Sequence, residues 1–489
     1  MGFDLFIGQF FGHVWPHIVG VLTVLVTLLA SGHAVLHKRE TLSAVAWVAV
    51  IWLVPVVGAA LYVLLGINRI KRRAAALRSD QTHLSAHLGR EEFFVSNFGR
   101  ALPGHEQFMA LSNLVEQIVG APLLRGNSVE PLVGGGQAYA AMVEAIEEAR
   151  RCVALSTYIF DNDRAGRMFL HALAGAVSRG VDVRVLVDGV GARYSWPPMT
   201  RVLREAGVRV ARFLPPSIPW RMPVMNLRNH RKILVADGSV GFTGGMNIRE
   251  GHVVEDNPAY PIQDLHFRVQ GPVVAHFQEI FADDWHFCTG ERLEGPLWYP
   301  PIEEAGPVIA RAIPDGPDED YEKLLWTVQG ALACARSSVR VVTPYFLPDH
   351  ALITSLNLAS MRGVHVEIIL PEVNNLPMVK WASMALLPQV LEHGCRVWLT
   401  PPPFDHSKLM LVDSVWMLFG SGNWDARSFK LNFEFNVECY DPTMARRLNQ
   451  VVDKKLQGAR ELTLTDLTTG RPLPLKLRDG VARLLSPYL

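Results

Sequence analysis

The feature that most constrains the fold of this 489-residue chain is a motif that occurs twice. The first copy, NHRKILVADGSVGFTGGMN, runs from Asn229 to Asn247, and the second copy, DHSKLMLVDSVWMLFGSGN, runs from Asp405 to Asn423. Each copy contains a histidine, a lysine two residues later and an aspartate seven residues after the histidine: His230, Lys232 and Asp237, then His406, Lys408 and Asp413. We therefore expect a chain built from two related halves.

Segments outside the motif repeat in the same order. ARRCVALSTYIF at Ala149–Phe160 corresponds to ARSSVRVVTPYF at Ala335–Phe346, and SRGVDVRVLV corresponds to MRGVHVEIIL. In both halves apolar strands alternate with helical segments, which predicts an α/β fold in which each half is a mixed sheet flanked by helices. The first half also carries an extra segment, SIPWRMPVMNLR, which predicts a loop near its motif.

Two apolar stretches precede these halves. Ile18–Leu36 and Leu42–Leu65 are uncharged, and each is close to the ~20 residues that a helix needs to cross a bilayer. Only the short segment HKRET joins them, so the sequence predicts a two-helix transmembrane hairpin over residues 14–66. A cleaved signal peptide is disfavoured because no Lys or Arg precedes Lys38.

Five basic residues follow the second stretch within a short distance: Arg69, Lys71, Arg72, Arg73 and Arg78. The positive-inside rule places such a flank in the cytoplasm, and its charge attracts anionic lipid. The predicted organisation is therefore the hairpin, a linker region at 67–125, a first half at 126–300 and a second half at 301–489.

Composition excludes several classes of protein. Lys plus Arg and Asp plus Glu both total 47, so there is no overall positive charge of the kind that favours nucleic-acid binding. The five cysteines show no spacing typical of a zinc site or a disulfide framework. The sequence also shows no carboxylate cluster suited to Mg²⁺, so we predict no metal and no cofactor.

The spacing of the motif favours chemistry on a phosphate. Side chains two residues apart on a strand share a face, so His230 and Lys232 can contact one phosphate together. Asp237 lies an odd number of residues from the histidine and within a predicted hairpin turn, ADGSV, which favours a structural role for it and for Asp413. Downstream, Asn247 and Asn423 lie at equal distances from their histidines, and each offers an uncharged donor for a phosphate oxygen.

These two motifs, with matching glycines and asparagines behind them, resemble the paired HKD motifs of the phospholipase D superfamily. Three further segments, TPYFLPD at Thr343–Asp349, NLRNHRK and DARSFKLNFEFN, together with the N-terminal hairpin, are similar to bacterial cardiolipin synthases. The resemblance covers nearly the whole chain, and it is most specific at the two motifs.

The resemblance implies how the site works. Two phospholipase D-like halves related by a pseudo-twofold axis would bring His230 and His406 to one phosphate, with His230 as nucleophile and His406 as general acid and base. All six motif residues belong to the implied catalytic set, and Lys232, Lys408, Asn247 and Asn423 would stabilise charge on phosphate oxygens. The acids Asp264 and Glu434, at matching positions in DLHFRVQGP and EFNVECYDP, would hydrogen-bond the histidines.

The implied reaction is the conversion of two phosphatidylglycerol molecules to cardiolipin and glycerol at the bacterial inner membrane, by a multi-pass protein with cytoplasmic catalytic halves. Phosphatidylglycerol, other anionic phospholipids and the membrane are the implied partners. Hydrolysis to phosphatidic acid by a phospholipase D stays open, because YPIQD and REGHVVEDNPAY before Asp264 depart from the family pattern. A nuclease and a non-enzymatic scaffold are disfavoured, and the oligomeric state is open.

Overall fold

The computed structural model describes five ranges of the chain: 15–38, 41–66, 91–215, 227–317 and 320–486. The chain divides into two compact units, Met1–Ala76 and Leu77–Leu489. The basic residues between 69 and 78 lie outside the described residues, as does most of the predicted insertion, including Trp220.

The smaller unit contains one helix that is long and apolar enough to cross a membrane, among the residues described: α1 (Trp15–His37). The predicted second span, Leu42–Leu65, is divided into α2 (Thr41–Leu53) and α3 (Pro55–Leu61). Pro55 has no N–H to donate, and its ring would clash with the carbonyl four residues earlier, so a continuous helix is interrupted there. The predicted pair of long helices is therefore one long helix followed by two shorter ones.

Part of the predicted linker region folds into the larger unit. Two helices form there, α4 (Phe98–Ala101) and α5 (Met109–Val119). Phe108, Leu111 and Val115 are buried in the same apolar cluster as the strands of the second half. The described part of this region, from residue 91 onward, is therefore a packed element of the fold.

The larger unit is built on one sixteen-stranded mixed sheet. The strands of the first half are β1 (Leu124–Val133), β2 (Cys152–Thr157), β3 (Asp182–Asp188), β4 (Arg209–Phe213), β5 (Arg228–Asn229), β6 (Ile233–Ala236), β7 (Val240–Gly244), β8 (Ile262–Gln263) and β9 (Leu265–Gln270). Those of the second half are β10 (Val308–Asp315), β11 (Ser338–Val342), β12 (His365–Pro371), β13 (Arg396–Thr400), β14 (Phe404–Asp405), β15 (Leu409–Val412), β16 (Trp416–Gly420), β17 (Asn432–Tyr440) and β18 (Arg460–Leu462). Only β8 and β14 stand apart, as a separate parallel pair.

The strand order is the same in both halves. The halves join where β1 and β10 pair antiparallel. Outward from this junction the first half runs β1-β9-β7-β6-β2-β3-β4, and the second half runs β10-β17-β16-β15-β11-β12-β13, followed by β18. The strand β2, with all six residues buried, has the continuous apolar character of a strand covered on both faces. The sheet thus repeats the order that the sequence segments repeat.

Helices cover the sheet between these strands. In the first half they are α6 (Gly134–Glu148), α7 (Arg164–Ser178), α8 (Met199–Glu205) and α9 (Val274–Thr289). In the second half they are α10 (Lys323–Cys334), α11 (His350–Met361), α12 (Pro377–Leu386), α13 (Pro388–Leu391), α14 (Ala426–Lys430), α15 (Pro442–Leu456), α16 (Leu464–Leu467) and α17 (Leu473–Leu484). Asp163 caps α7 and Asp349 caps α11 by accepting a backbone N–H three residues on, so equivalent residues begin equivalent helices.

Candidate active site

Each motif histidine follows a short strand that pairs with the opposite half. β5 pairs in parallel with β17, and the His230 N–H donates to the Phe433 carbonyl at 2.9 Å. β14 pairs in parallel with β8, and the His406 N–H donates to the Gln263 carbonyl at 2.7 Å. In both cases the accepting carbonyl belongs to the residue just before a predicted acid, so the backbone brings that acid to the histidine.

The acids are exchanged between the halves. His230 Nδ1 lies 2.9 Å from Glu434 Oε2, and His406 Nδ1 lies 2.9 Å from Asp264 Oδ2. All four side chains are buried. A carboxylate at Nδ1 fixes the imidazole tautomer and leaves Nε2 as the nitrogen that can react. The alignment of the two halves of the sequence selected the two acids, and the structure places each one at the histidine of the other half.

The two lysines are buried close to their own histidines. Lys232 Nζ donates to the His230 carbonyl at 2.7 Å, and Lys408 Nζ donates to the His406 carbonyl at 2.5 Å. An ammonium group has three N–H donors, so two on each lysine are left for a ligand. Burial lowers the pKa of Lys232 to about 7 and that of Lys408 to about 8. An anionic ligand would favour the charged form of both.

The histidines share one electrostatic environment. Burial lowers the pKa of His230, and burial together with Lys408, Lys232 and His230 lowers the pKa of His406 well below its ordinary value. Lys408 also lowers the pKa of His230. Because charges of both motifs act on both histidines, the two motifs form one site.

The two acids differ in their hydrogen bonds. Burial raises the pKa of Glu434, but His230, Lys232 and Ser421 outweigh it, so the pKa is lowered. The Ser421 hydroxyl donates to Glu434 at 2.5 Å and Asn432 donates at 3.1 Å. Glu434 therefore accepts hydrogen bonds from three side chains, and one of them is a histidine.

Asp264 has fewer donors. Besides His406, the carboxylate accepts the N–H of the next residue, Leu265, at 2.8 Å. Burial raises the pKa of Asp264 to about 6. Gly245 occupies the position that Ser421 has in the second half, and a Cβ there would lie 2.3 Å from Asp264 Oδ1. The absence of a side chain at Gly245 therefore lets the backbone approach this carboxylate.

The two asparagines are buried beyond β7 and β16. Asn247 Oδ1 accepts the Ile159 N–H at 3.1 Å, which orients the amide so that its NH₂ group is the free end. Asn423 Oδ1 is buried and has no hydrogen-bond partner within the described parts of the chain. The NH₂ group of Asn247 is therefore available as a donor, whereas the unpartnered atom of Asn423 is an acceptor.

Asp237 and Asp413 lie in the hairpin turns at the far ends of the motif strands. The Asp237 carboxylate accepts the backbone N–H groups of Arg150, Arg151 and Cys152 at 2.8 to 3.2 Å. Asp413 accepts the corresponding groups of residues 336–338. These contacts hold each turn to the start of β2 or β11.

Several aromatic side chains near the histidines were not selected from the sequence. The Tyr158 ring lies 5.3 Å from that of His230, and the rings of Tyr345 and His252 lie 6.2 and 6.4 Å from that of His406. Tyr158 and Tyr345 lie in the repeated segments STYIF and VTPYF but one position apart in their alignment, so the repeat did not select them. His252 is buried in the segment that departs from the family pattern, and burial lowers its pKa to about 3.

Buried ion pairs fix both motifs to helices. Arg231, next to His230, donates to Asp284 of α9 at 2.9 Å. Asp405, just before His406, accepts from Lys455 of α15 at 2.7 Å. No group of three or more His, Cys, Asp or Glu side chains in the described ranges is arranged to hold a metal ion.

Comparisons with known proteins agree with this architecture. The family described as cardiolipin synthase, PLD-like domain, matches residues 142–285 and 329–456, and a phospholipase D-nuclease N-terminal family matches residues 23–66. A cardiolipin synthase from Geobacillus sp. (strain WCH70) is 31% identical over 93% of this chain and 90% of that relative. Cardiolipin synthase A from Pseudomonas putida (strain GB-1) is 32% identical over 97% of this chain and 99% of that relative.

The fold also matches a solved structure. A phosphatidylserine synthase from Haemophilus influenzae Rd KW20 covers 78% of this chain and all of its own, with a TM-score of 0.59 and 16% identity. That likeness supports the phospholipase D-like α/β fold. With both matched ranges carrying a histidine and an exchanged acid, the chain is an enzyme that belongs to the family of bacterial cardiolipin synthases, within the phospholipase D superfamily.

Proposed function

We propose that this enzyme transfers a phosphatidyl group from one phosphatidylglycerol to the terminal hydroxyl of another, which releases glycerol and forms cardiolipin. The observation that carries the proposal is the exchange of acids, with His230 on Glu434 and His406 on Asp264. This exchange supports one composite site to which both halves contribute a histidine and an acid. The names of the relatives support the product.

The first step makes a covalent intermediate. The bound anionic phosphate favours the protonated form of His406. His230 Nε2 attacks phosphorus, the bond from phosphorus to the glycerol oxygen breaks, and His406 gives its proton to that oxygen. The attacking imidazole becomes positively charged, and Glu434 at Nδ1 stabilises this charge because its lowered pKa keeps it ionised at neutral pH.

The second step regenerates the enzyme. His406, now neutral, takes the proton of the acceptor hydroxyl, the acceptor oxygen attacks phosphorus, and the bond from phosphorus to His230 Nε2 breaks. A group that gains and loses a proton in every cycle is well matched by Asp264, whose pKa of about 6 is close to neutral. The two acids thus support different roles for the two histidines.

Charge on the phosphate is stabilised by groups of both motifs. The transition state spreads negative charge over the non-bridging oxygens, which the spare N–H donors of Lys232 and Lys408 can bind. The amides of Asn247 and Asn423 add uncharged donors. We further propose that the halves are related by a pseudo-twofold axis between β1 and β10, because the strand order is the same on both sides of that junction.

We also propose that residues 14–66 form a two-helix hairpin in the bacterial inner membrane, with the halves at 126–300 and 301–489 in the cytoplasm. The α1 helix, the divided α2 and α3, and the basic residues between 69 and 78 support this arrangement. Reporter fusions at Met1 and Leu489 should both be active on the cytoplasmic side. A periplasmic signal from either end would overturn the topology.

The reaction is tested by its product ratio. Water at ~55 M competes with the lipid alcohol, so the site must exclude it for transfer to dominate. We expect phosphatidylglycerol bilayers to give glycerol and cardiolipin in equal amounts, with little phosphatidic acid, when the products are separated by thin-layer chromatography. If phosphatidic acid dominates at every lipid density, the enzyme is a phospholipase D, the alternative that the sequence left open.

A further inference from the structure

Each half carries an exposed apolar loop at an equivalent place. The loop at 189–198 follows β3 and exposes Tyr194 and Trp196, the latter by 88%. The loop at 372–376 follows β12, the matching strand of the second half. With the first turn of α12 it exposes three aliphatic side chains: Val373, Leu376 and Met378.

In each half, one tyrosine lies between the exposed loop and the catalytic histidine. The Tyr194 ring lies 6.4 Å from the Tyr158 ring, which in turn lies 5.3 Å from His230. In the second half, the Tyr345 hydroxyl donates to Asn375 at 2.9 Å, and the Tyr345 ring lies 6.2 Å from His406. The exposed side chains are therefore at the edge of the site.

A third segment beside the same site carries one more exposed side chain. Tyr260 is 84% exposed, three residues before Gln263, whose carbonyl accepts the His406 N–H. Four aromatic side chains are exposed in the described part of the larger unit, and two of them lie on the first loop while a third is Tyr260. We call the six exposed residues the apolar rim: Tyr194, Trp196, Tyr260, Val373, Leu376 and Met378.

Positive charge lies next to the rim. Asn162 donates to the Pro197 carbonyl at 3.3 Å, which connects the first loop to the start of α7. Arg164 and Arg167 are exposed on that first part of α7, although Arg164 is paired with Asp256. Exposed Trp and Tyr beside arginines is the composition of a surface that contacts lipid headgroups.

We propose that the apolar rim docks onto the surface of a bilayer that contains anionic phospholipid. The inference rests on the proposed function, because a lipid substrate must leave the bilayer to reach His230 and His406. Tryptophan and tyrosine rings would lie at headgroup level, and Val373, Leu376 and Met378 would contact the first acyl carbons. Docking would also cover the edge of the site that water would otherwise enter.

The first test compares two substrates with the full-length enzyme reconstituted in phosphatidylglycerol bilayers. The double variant Trp196→Ser, Leu376→Ser should lose about tenfold in activity on bilayer substrate, since each apolar group removed weakens docking. Its activity on a short-chain phosphatidylglycerol dissolved as monomers should be unchanged. The matched control is Met361→Ser, exposed at the end of α11 near the start of β12, the strand end opposite the rim.

Loss of activity on both substrates, or equal activity of variant and control on bilayers, would overturn the docking proposal. The second outcome would assign the rim to a protein partner absent from the pure lipid system.

The second test does not depend on turnover. Brominated phosphatidylglycerol should quench a component of tryptophan fluorescence in the wild-type enzyme that is missing in Trp196→Phe. If quenching occurs but no cardiolipin forms, docking stands and the proposed function fails. If cardiolipin forms but Trp196 is not quenched, the function stands and the docking proposal fails.

Discussion

The two histidine–acid pairs have the same geometry and different electrostatics. In both, Nδ1 lies 2.9 Å from a carboxylate of the opposite half. Yet the pKa of Glu434 is lowered, while the pKa of Asp264 is raised to about 6. The pKa of Glu434 is lowered mainly by His230 and Lys232, and Ser421 adds a smaller contribution that Gly245, at the equivalent position, cannot offer to Asp264. Duplication has kept the framework, while the pKa values of the two acids differ.

A second difference concerns the ion pairs beside the histidines. Arg231 and Asp284 hold the first motif, with the positive charge on the motif. Asp405 and Lys455 hold the second motif, with the positive charge on the helix. Either sign is compatible with the site as long as the buried charge is paired. The two pairs use different motif positions, since Arg231 follows its histidine and Asp405 precedes its histidine, and each leaves no unpaired charge at that position.

Removal of either histidine should have the largest effect on turnover. His230→Ala and His406→Ala should each lower turnover by about 10⁴-fold or more, because the two groups act as one unit. Only His406→Ala retains the nucleophile, so only it should accumulate a phosphatidyl adduct, which mass spectrometry of the denatured protein would locate on His230. An adduct on His406 in the His230→Ala variant would reverse the two roles.

Neutralising the acids should have the next largest effect. Glu434→Gln and Asp264→Asn keep the shape of each pair but remove the charge that holds the histidine tautomer, and we expect losses of about 10² to 10³-fold in kcat. Glu434→Gln should slow the first step, which is measured as the burst of glycerol release, because the Glu434 carboxylate stabilises the charged intermediate. Asp264→Asn should slow the transfer to the acceptor. Wild-type rates in both variants would remove the acids from the mechanism.

The serine behind Glu434 offers a sharper test of the difference between the pairs. Ser421→Ala removes a donor that lowers the pKa of Glu434, so that pKa should rise. Glu434 would then be protonated at a higher pH as the pH falls, which moves the acidic limb of the kcat profile upward and costs about tenfold at the acidic end. Activity at alkaline pH should be nearly unchanged.

The matched control for this variant is Ser407→Ala. It removes a buried hydroxyl from Asp405, a carboxylate that is paired with Lys455 and not with a histidine. The same shift of the acidic limb in both variants would mean that Ser421 does not act through Glu434.

Much of the site could be predicted from the sequence because the chain contains it twice. The repeat identified the histidines, lysines, asparagines and both acids, and strand periodicity separated Asp237 and Asp413 from the histidine face. The exchange of acids could not be predicted, because it depends on β5 and β14 pairing with strands of the opposite half. His252 has no counterpart in the repeat, so only the fold shows that it lies near His406. Pro55 is visible in the sequence, but apolar composition alone does not predict that it divides the second apolar stretch into two helices.

The smallest effect on turnover is expected for the two aspartates that complete the motifs. In Asp237→Asn and Asp413→Asn the side chain can still accept through one oxygen, but the second acceptor becomes a donor that faces backbone N–H groups. Each change should therefore lower the thermal midpoint by a few degrees, at a cost of about 1 to 3 kcal/mol, while kcat of the folded enzyme stays within about twofold of wild type. Thermal inactivation followed by assay at a low temperature separates the two quantities. A large loss of kcat at an unchanged thermal midpoint would mean that the aspartates take part in the reaction. An unchanged kcat would mean that two of the six motif residues hold the strands that carry the other four.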